Sequence, residues 1–405
     1  MRSYLHFLSS SWPLLVFGFI TVFWGNLGQS FFISWYGESF QAKLGLSAAD
    51  YGSTYSIATL ISGTMVMFVG GWIDRISLKI FVLFVAAGLF SACLMLSMAN
   101  AYWMLLVGFF LVRLFGQAMM PHTGVTTMAR CFEQNRGKAI SLATSAMPVG
   151  EVILPSLAVL LIAYMGYQNS WLLWAATIPL VMLPVSFLLL KKSEKLAGEA
   201  LRPQSDKKEG DSSTKGSIRA ELLRDPRFWK VIPVLNSAPF VVTGIFIQQS
   251  FVLKEKGWSL EWFAVCFAFY GVVHWLSSIT SGILVDRYSA RKMLRFFQIP
   301  MIFALLLVAF VEGQWVAWGM LCLIGMTIGC AGPISGSLWA EVYGTAKIGG
   351  IRSLTTTIVV WSTSISPFVL GYLIDQNISL QNIAIGTAVL LTSFSVLSIF
   401  SYKPD

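Results

Sequence analysis

Long apolar runs dominate this sequence and leave it few ways to fold outside a lipid bilayer. A helix needs about 20 mainly apolar residues to cross the hydrocarbon core. Runs of this length recur throughout the 405-residue chain. They predict twelve transmembrane helices, at about 12–35, 48–73, 78–99, 102–129, 138–164, 169–190, 228–252, 260–285, 292–311, 314–340, 349–374 and 380–401. The expected fold class is therefore an all-α membrane protein.

Composition supports a bilayer as the solvent. Hydrophobic residues make up 56% of the chain and charged residues only 12%, whereas soluble domains carry about 25% charged residues. The net charge is +9, but the basic residues form short clusters between apolar runs. We interpret these clusters as loops, and we expect the lipid bilayer and no nucleic acid as a partner.

One charged stretch divides the apolar runs evenly. Residues 191–227 are rich in charge and poor in large apolar side chains, which predicts a solvated linker that is disordered at least in part. The expected domains are an N-terminal six-helix bundle at 1–190, this linker, and a C-terminal six-helix bundle at 228–405.

The basic residues also predict topology. With both termini in the cytoplasm, the cytoplasmic segments hold all Lys and Arg residues except Lys43, Lys254, Lys256 and Arg113. Cytoplasmic loops carry an excess of Lys and Arg. We therefore expect both termini and the linker on the cytoplasmic side.

The two halves repeat each other. A G-x-x-x-D-R pattern begins at Gly70 and again at Gly282, 212 residues later, and Pro155 and Pro367 share that spacing. Several matches at nearly one offset indicate a duplicated six-helix unit, the architecture of many transporters, whose sites lie near the midplane.

The two repeated loops are candidate gates. The glycines let helices approach closely, and the aspartates can pair with an arginine or a helix N-terminus in one access state and release it in the other. The alternative is that these charges only set topology. The candidate gating residues are Gly70, Asp74, Arg75, Gly282, Asp286 and Arg287.

Only two charges lie deep within predicted spans, Arg113 and Glu151. Such charges are costly in hydrocarbon and usually mark a functional interior. Arg113 can attract a carboxylate substrate, with Glu151 as its partner or as a proton acceptor. The alternative is a fixed structural ion pair between helices four and five.

Further polar side chains fall within the predicted spans. His122 and His274 can change charge near neutral pH and so suit a proton-coupled step, although a neutral histidine bonded to a backbone carbonyl is the alternative. Asn26 and Gln29 in the first span can line a water-filled cavity, while Asn26 can equally join two helices.

Several chemistries have no signature in the sequence. Neither a G-x-x-x-x-G-K-[ST] loop nor a G-x-G-x-x-G unit is found, which argues against nucleotide-driven transport. The five cysteines form no C-x-x-C pair. We expect no cofactor, no metal, no disulfide and no enzymatic activity.

These patterns resemble those of the major facilitator superfamily. The two G-x-x-x-D-R loops are similar to its signature loops, and FFLVRLFGQA, with Arg113, Gly116 and Gln117, is similar to its helix-four arginine motif. The resemblance covers essentially the whole chain. It implies two pseudo-symmetric six-helix bundles, a monomer, and a substrate or coupling role for Arg113 and Gln117.

Two segments resemble a particular subgroup. Residues 128–150 and 340–354 are similar to segments of monocarboxylate transporters and oxalate/formate-type antiporters, including bacterial members. This implies a place in the bacterial inner membrane. One departure is that His274 and Ser278 stand where monocarboxylate transporters typically carry Asp and Arg in helix eight.

The leading hypothesis is a secondary transporter that works by alternating access. Its expected substrate is a small organic anion, moved with protons or in exchange for a counter-anion. The first alternative is a proton-coupled exporter of hydrophobic or cationic compounds, in which Glu151 would serve a cation. The second is a non-transporting membrane sensor or scaffold.

Overall fold

A computed structural model describes residues 2–132, 134–197, 222–344 and 348–401, and within these ranges the chain is helical and contains no β-strand. This follows from the solvent, because in hydrocarbon each backbone N–H and C=O must be satisfied within the protein and a helix does so within one segment.

Up to residue 197 the helices include two short 3₁₀ segments, Asn26–Gly28 and Ser34–Tyr36, and two π-helical segments, Val112–Met119 and Ile178–Met182. The α-helices are α1 (Arg2–Gly25), α2 (Ser30–Ile33), α3 (Gly37–Leu44), α4 (Ala48–Val69), α5 (Trp72–Arg75), α6 (Leu78–Ser97), α7 (Tyr102–Leu111), α8 (Met120–Cys131), α9 (Arg136–Thr144), α10 (Ala146–Thr177) and α11 (Leu183–Ala197).

From residue 226 onward the helices are mostly longer and less interrupted. They are α12 (Pro226–Ile247), α13 (Gln249–Lys256), α14 (Leu260–Tyr288), α15 (Ala290–Met293), α16 (Ile299–Phe310), α17 (Trp315–Tyr343), α18 (Ile348–Asp375) and α19 (Leu380–Ile399).

Within the described residues, ten helical stretches are long and apolar enough to cross a bilayer. One of them, Arg136–Glu194, has 59 residues, which exceeds the roughly 20 residues of a single span. It turns at Gly166, whose φ of 76° and ψ of 161° suit glycine alone. This stretch therefore supplies two spans, and α16 is a shorter apolar helix. The all-α membrane fold class is confirmed.

The prediction of one continuous helix at 12–35 is wrong. Helix α1 ends at Gly25, a 3₁₀ turn follows, and Gln29 is extended with φ of −76° and ψ of 149°. The predicted helix at 102–129 also changes geometry, since Val112–Met119 is π-helical. Both changes fall inside spans, where an interrupted backbone needs partners from other helices.

The chain divides into two compact units. One comprises Met1–Gly45 and Ile57–Lys207, and the other comprises Leu46–Ser56 and Lys208–Asp405. The sequence predicted that residues 46–56 belong to the N-terminal bundle, whereas here they group with the second unit. Helix α11 continues through Ala197, so the charged stretch starts as helix, and the disorder predicted for the linker falls on residues 198–221, outside the described residues.

An aromatic cluster in the first unit holds the chain just after the break in α1. Phe32 packs edge-on against Trp171 and Trp174, with ring centroids 5.7 and 5.5 Å apart. The Tyr36 hydroxyl lies 2.8 Å from Ser170 Oγ and accepts from Trp174 Nε1 at 3.0 Å. Since these rings are buried and their polar atoms are bonded, the chain resumes its helical course at a fixed place on α10.

The second unit is held together by a close helix crossing. A side chain at Gly325 or Gly329 of α17 would reach backbone atoms of α14, with a Cβ at Gly329 only 2.5 Å from the His274 carbonyl oxygen. The two glycines form a G-x-x-x-G pattern, which lets membrane helices approach to backbone contact.

Candidate functional site

The interruption of α1 creates the most unusual backbone in the first unit. A helix that stops inside a membrane leaves carbonyl groups without intrahelical partners. One of them, the Gly28 carbonyl oxygen, accepts a hydrogen bond from Arg113 Nη1 at 3.0 Å. The break and the buried arginine are therefore parts of one arrangement.

Glycines bring the two interrupted helices into backbone contact. A Cβ at Gly28 would lie 2.3 Å from both the Gln117 nitrogen and the Val112 carbonyl oxygen, and a Cβ at Gly116 would lie 2.9 Å from Gly28. No side chain fits at either position. Because π-helical segments are frequent at functional sites, the crossing of this turn with Val112–Met119 marks the candidate site.

Arg113 is buried within this crossing. Its exposed fraction is 3%, and it lies near the middle of the Tyr102–Cys131 span. A charged side chain at the centre of a bilayer costs about 2.5–3.5 kcal/mol on insertion scales. The hydrogen bond to the Gly28 carbonyl offsets part of that cost and fixes the guanidinium beside the break.

Helix α10 closes the other side of the break. Asn26 Nδ2 donates to the Ala146 carbonyl at 3.1 Å, and a Cβ at Gly150 would lie 2.1 Å from that same nitrogen. Glu151 follows directly and is 2% exposed. Asn26 thus joins two helices, which was one of its two predicted roles, and it brings the buried carboxyl-bearing turn of α10 to the break.

Two amide side chains at the crossing remain uncommitted. Gln29 and Gln117 flank the Gly28–Gly116 contact and are half-buried, and within the described residues neither side chain has a hydrogen-bond partner. Primary amides both donate and accept. They are therefore the groups beside Arg113 that can bond a ligand without breaking a protein contact.

His122 is attached to the first gating loop. Its Nε2 lies 3.0 Å from the Gly70 carbonyl oxygen and its Nδ1 lies 3.4 Å from Thr126 Oγ1. A carbonyl oxygen only accepts, so Nε2 carries a proton, and a neutral ring can accept from the threonine at Nδ1. This geometry fits the alternative given above, a neutral histidine bonded to a backbone carbonyl.

The first gating loop forms an ion pair. Asp74 bonds Arg130 at the end of α8, and Arg130 Nη1 also donates to the Ile73 carbonyl at 3.2 Å. Arg75 is exposed. The expected pairing of Asp74 with a neighbouring arginine is present, and it links α5 to α8 within the first unit.

The second gating loop uses different residues. Asp286 and Arg287 are exposed, the Arg287 guanidinium lies 5.4 Å from the Tyr288 ring, and within the described residues Asp286 has no ion-pair partner. The Glu341 carboxylate instead accepts from the backbone nitrogens of Ala290 and Arg291 at 2.7 and 3.3 Å. The pairing proposed for Asp286 is therefore absent from the described structure, and a carboxylate on α17 holds the start of α15.

His274 lies in the second unit. It is half-buried, its ring centroid is 5.8 Å from that of Tyr270, and its backbone lies at the crossing with Gly325 and Gly329. A Cβ at Gly282 would meet no atom within 4 Å, so a close helix approach does not require this glycine.

The sequence analysis missed the residues that position the site. Gly28 supplies the carbonyl that Arg113 bonds, and Gly116 and Gly150 supply the space for close contact. The pattern Gly25-Asn-Leu-Gly28-Gln inside an apolar run was the available signal, since paired glycines disfavour a continuous helix. No group of three potential metal ligands occurs among the described residues.

Solved structures with similar folds are transporters. A POT family transporter in complex with 5-aminolevulinic acid superposes with a TM-score of 0.71 at 14% identity, covering 96% of each chain. A bacterial homologue of the human lysosomal transporter Spinster gives a TM-score of 0.67 at 13% identity, covering 96% of this chain and 95% of the other. At such identities the likeness concerns the fold alone. No curated protein sequence matches the chain.

The family is given by the sequence itself. The model of the Major Facilitator Superfamily matches residues 15–367, which include the break in α1, the Arg113 segment and both gating loops. This match agrees with the all-α fold and indicates a transporter and not an enzyme. The chain belongs to the Major Facilitator Superfamily.

Proposed function

We propose that this protein is a secondary active transporter for a small organic anion, a carboxylate, moved with protons or in exchange for another anion by alternating access. The observation that carries the proposal is the buried Arg113 guanidinium at the break in α1. A fixed positive charge within a membrane favours a negatively charged ligand, and discontinuous helices commonly form substrate sites in transporters.

The residues at the break divide the work. Arg113 supplies the positive charge, and the uncommitted amides of Gln29 and Gln117 donate hydrogen bonds to the carboxylate. A carboxylate accepts several hydrogen bonds and is bound more strongly by charged donors than by neutral ones. Glu151, buried one residue after Gly150, accepts the coupled proton, and His274 in the second unit is the other candidate for that role.

The substrate class follows the resemblance to monocarboxylate transporters and oxalate/formate-type antiporters. The segments that carry this resemblance include Arg130, which bonds Asp74, and Glu341, which holds the start of α15. They serve the scaffold, so they support the placement of the chain near that subgroup and not the choice of one carboxylate.

We place the protein in the bacterial inner membrane as a monomer with both termini in the cytoplasm. Apart from Arg113, the only Lys and Arg residues outside the predicted cytoplasmic segments are Lys43, Lys254 and Lys256. In this orientation both gating loops and the charged stretch face the cytoplasm, as the excess of basic residues favours.

The test is uptake into proteoliposomes of radiolabelled lactate, pyruvate, formate, oxalate and succinate, with and without an inward proton gradient. Wild type is compared with Arg113→Ala and Arg113→Lys, and with Gln29→Leu and Gln117→Leu. We expect at least one carboxylate to be taken up, with a loss of about 100-fold in Arg113→Ala and a smaller loss in Arg113→Lys, which keeps the charge but loses the planar fork.

Matched controls make the same changes away from the break. Arg224→Ala removes an exposed arginine, and Gln381→Leu removes an exposed amide at the start of α19. Both should transport at the wild-type rate. Expulsion of a cationic dye that depends on Glu151, with no carboxylate uptake, would replace the anion proposal with proton-coupled export. Absence of any transport would favour a sensor.

A further inference from the structure

The second unit contains a cavity that has no part in the proposed anion site. It lies between α12, α18 and α19, with α13, α16 and α17 contributing residues, and has a volume of about 670 Å³. Every lining residue belongs to the second unit. Pockets of 300–1,000 Å³ are typical of small-molecule sites.

The lining is apolar. Large side chains from three helices dominate it, and none of the described residues that line it is charged. Representative members are Phe240, Val241, Ile358, Leu370, Leu391 and Phe394. A carboxylate or an ammonium ion would lose its hydration here without gaining a counter-charge, so an ionised ligand is disfavoured.

One polar atom of the lining has no partner. Asn236 is 6% exposed, and its Nδ2 donates to the Ile232 carbonyl at 2.8 Å. Its Oδ1 is buried and makes no hydrogen bond. A buried unsatisfied acceptor costs about 1–3 kcal/mol, and native structures contain few of them.

The neighbouring hydroxyl groups do not fill this need. Ser237 Oγ donates to the Val234 carbonyl at 3.0 Å, Ser366 Oγ donates to the Phe240 carbonyl, and Thr387 Oγ1 donates to the Ile383 carbonyl at 2.7 Å. Each of these hydrogens is already used. The donor that satisfies Asn236 Oδ1 must therefore come from a molecule within the cavity.

We propose that this cavity binds an uncharged amphiphile, a mainly apolar molecule with one hydroxyl or amide N–H that donates to Asn236 Oδ1. The apolar body occupies the volume between α12, α18 and α19. Such a molecule partitions into the bilayer, which surrounds these helices, so it reaches the cavity from the membrane. The site is separate from the carboxylate site and does not depend on it.

Photolabelling tests the proposal directly. The probe is an octanol that carries a diazirine, and its matched control is the octane diazirine without the hydroxyl. Both are added to the purified full-length protein in nanodiscs, and labelled peptides are identified by mass spectrometry. We expect the alcohol to label α12, α18 and α19, and the hydrocarbon to label them about five- to tenfold less, the worth of one buried hydrogen bond.

Two variants locate the label. Asn236→Leu removes the acceptor and should lower alcohol labelling to the level of the hydrocarbon. Gly386→Phe fills the cavity, because Gly386 lines it and a Cβ there meets nothing within 4 Å, and it should block both probes. Gly332→Phe is the control, since that position also has open space but lies outside the lining.

The folding of Asn236→Leu is not at risk from the lost amide bond, because the Ile232 carbonyl retains its place in the α12 backbone ladder. Equal labelling of wild type and Asn236→Leu by the alcohol would overturn the proposal and leave water as the partner of Oδ1. Equal labelling of wild type by the two probes would also overturn it. If Asn236→Leu did not fold, the comparison of the two probes and the Gly386→Phe variant would still decide.

The source of the natural ligand is settled by native mass spectrometry of the protein extracted without added alcohols. A bound adduct that is lost in Gly386→Phe and retained in Gly332→Phe identifies a membrane constituent. Empty protein that takes up the octanol probe identifies a compound supplied from outside. Both outcomes support the same site chemistry.

Discussion

The two repeats treat their fourth helix in opposite ways. In the first unit this helix is interrupted by the π-helical segment Val112–Met119 and carries Arg113 against a broken α1. In the second unit α17 is continuous, and the position 212 residues after Arg113 is Gly325, which packs against α14. One duplicated scaffold has thus become a charged, interrupted site in one half and a close, uncharged helix crossing in the other.

The cytoplasmic-loop contacts show a second inversion. Arg130 pairs with Asp74 in the first unit, whereas Glu341, at the matching position 211 residues later, holds the backbone nitrogens at the start of α15. Opposite charges at one repeat position perform the same task. A helix N-terminus carries a partial positive charge, so it can replace an arginine as the partner of a carboxylate.

The largest expected effect comes from adding a methyl group where the backbones touch. Gly28→Ala would place Cβ 2.3 Å from two backbone atoms of the π-helical segment, and backbone cannot move aside as a flexible side chain can. We expect destabilisation of about 3 kcal/mol or more, seen as a lower thermal unfolding temperature and loss of a monodisperse peak.

The second unit provides the comparison for this change. Gly329→Ala should be comparably severe, because its Cβ would lie 2.5 Å from the His274 carbonyl oxygen, whereas Gly332→Ala meets nothing within 4 Å and should be neutral. A stable Gly28→Ala protein would mean that the broken helix is not held by backbone contact.

Proton coupling should distinguish the two units next. Glu151→Gln keeps the shape of the side chain but cannot release a proton, so we expect stimulation of uptake by an inward proton gradient to fall at least about tenfold. His274→Gln should keep most of that stimulation, because the coupling residue is expected beside Arg113. The measurement is initial uptake at several external pH values. The reverse result would move the coupling site to the second unit.

The gating loops should differ by a smaller factor. Asp74→Asn breaks an ion pair with Arg130 worth about 1 kcal/mol, so we expect the initial transport rate to change about fivefold. Asp286→Asn should leave the rate nearly unchanged, since Asp286 lacks an ion pair within the described structure, whereas Glu341→Gln should resemble Asp74→Asn. Equal effects of the two aspartate variants would indicate that both loops act through topology charge alone.

The smallest effect concerns Asp225, outside the spans, which caps α12 by accepting from the Arg227 backbone nitrogen at 2.8 Å. Burial raises the pKa of Asp225, but hydrogen bonds from Arg227 and Tyr343 outweigh it and hold the pKa below its usual value. The cap therefore stabilises the fold above the ordinary aspartate pKa of about 4, and this contribution is lost as pH falls through the lowered value.

We expect Asp225→Asn to cost about 0.5–1 kcal/mol near neutral pH, measured as a shift in thermal unfolding in detergent, with Arg224→Ala as the neighbouring control. The difference from wild type should shrink as the pH is lowered below about 4. A difference that is independent of pH would show that the carboxylate charge has no part in the cap.

Apolar length and charge placement determined much of this protein from sequence alone. The runs between residues 12 and 401 predicted the membrane fold, because a bilayer leaves a long apolar segment no other stable form than a helix. The repeated Gly70 and Gly282 loops and the Arg113 segment indicated the family, and the burial of Arg113 and Glu151 followed from their position within spans.

Tertiary structure decided where those helices are interrupted and what each polar group bonds. Nothing in apolar periodicity marks the break at Asn26–Gly28, because its stability comes from Arg113, Gly116 and Gly150 on other helices. Likewise the sequence places Asn236 within a single apolar run, while the cavity it lines is formed by residues far apart in the chain. Apolar length is a local property, whereas the partner of a carbonyl or an amide depends on which segments meet in space.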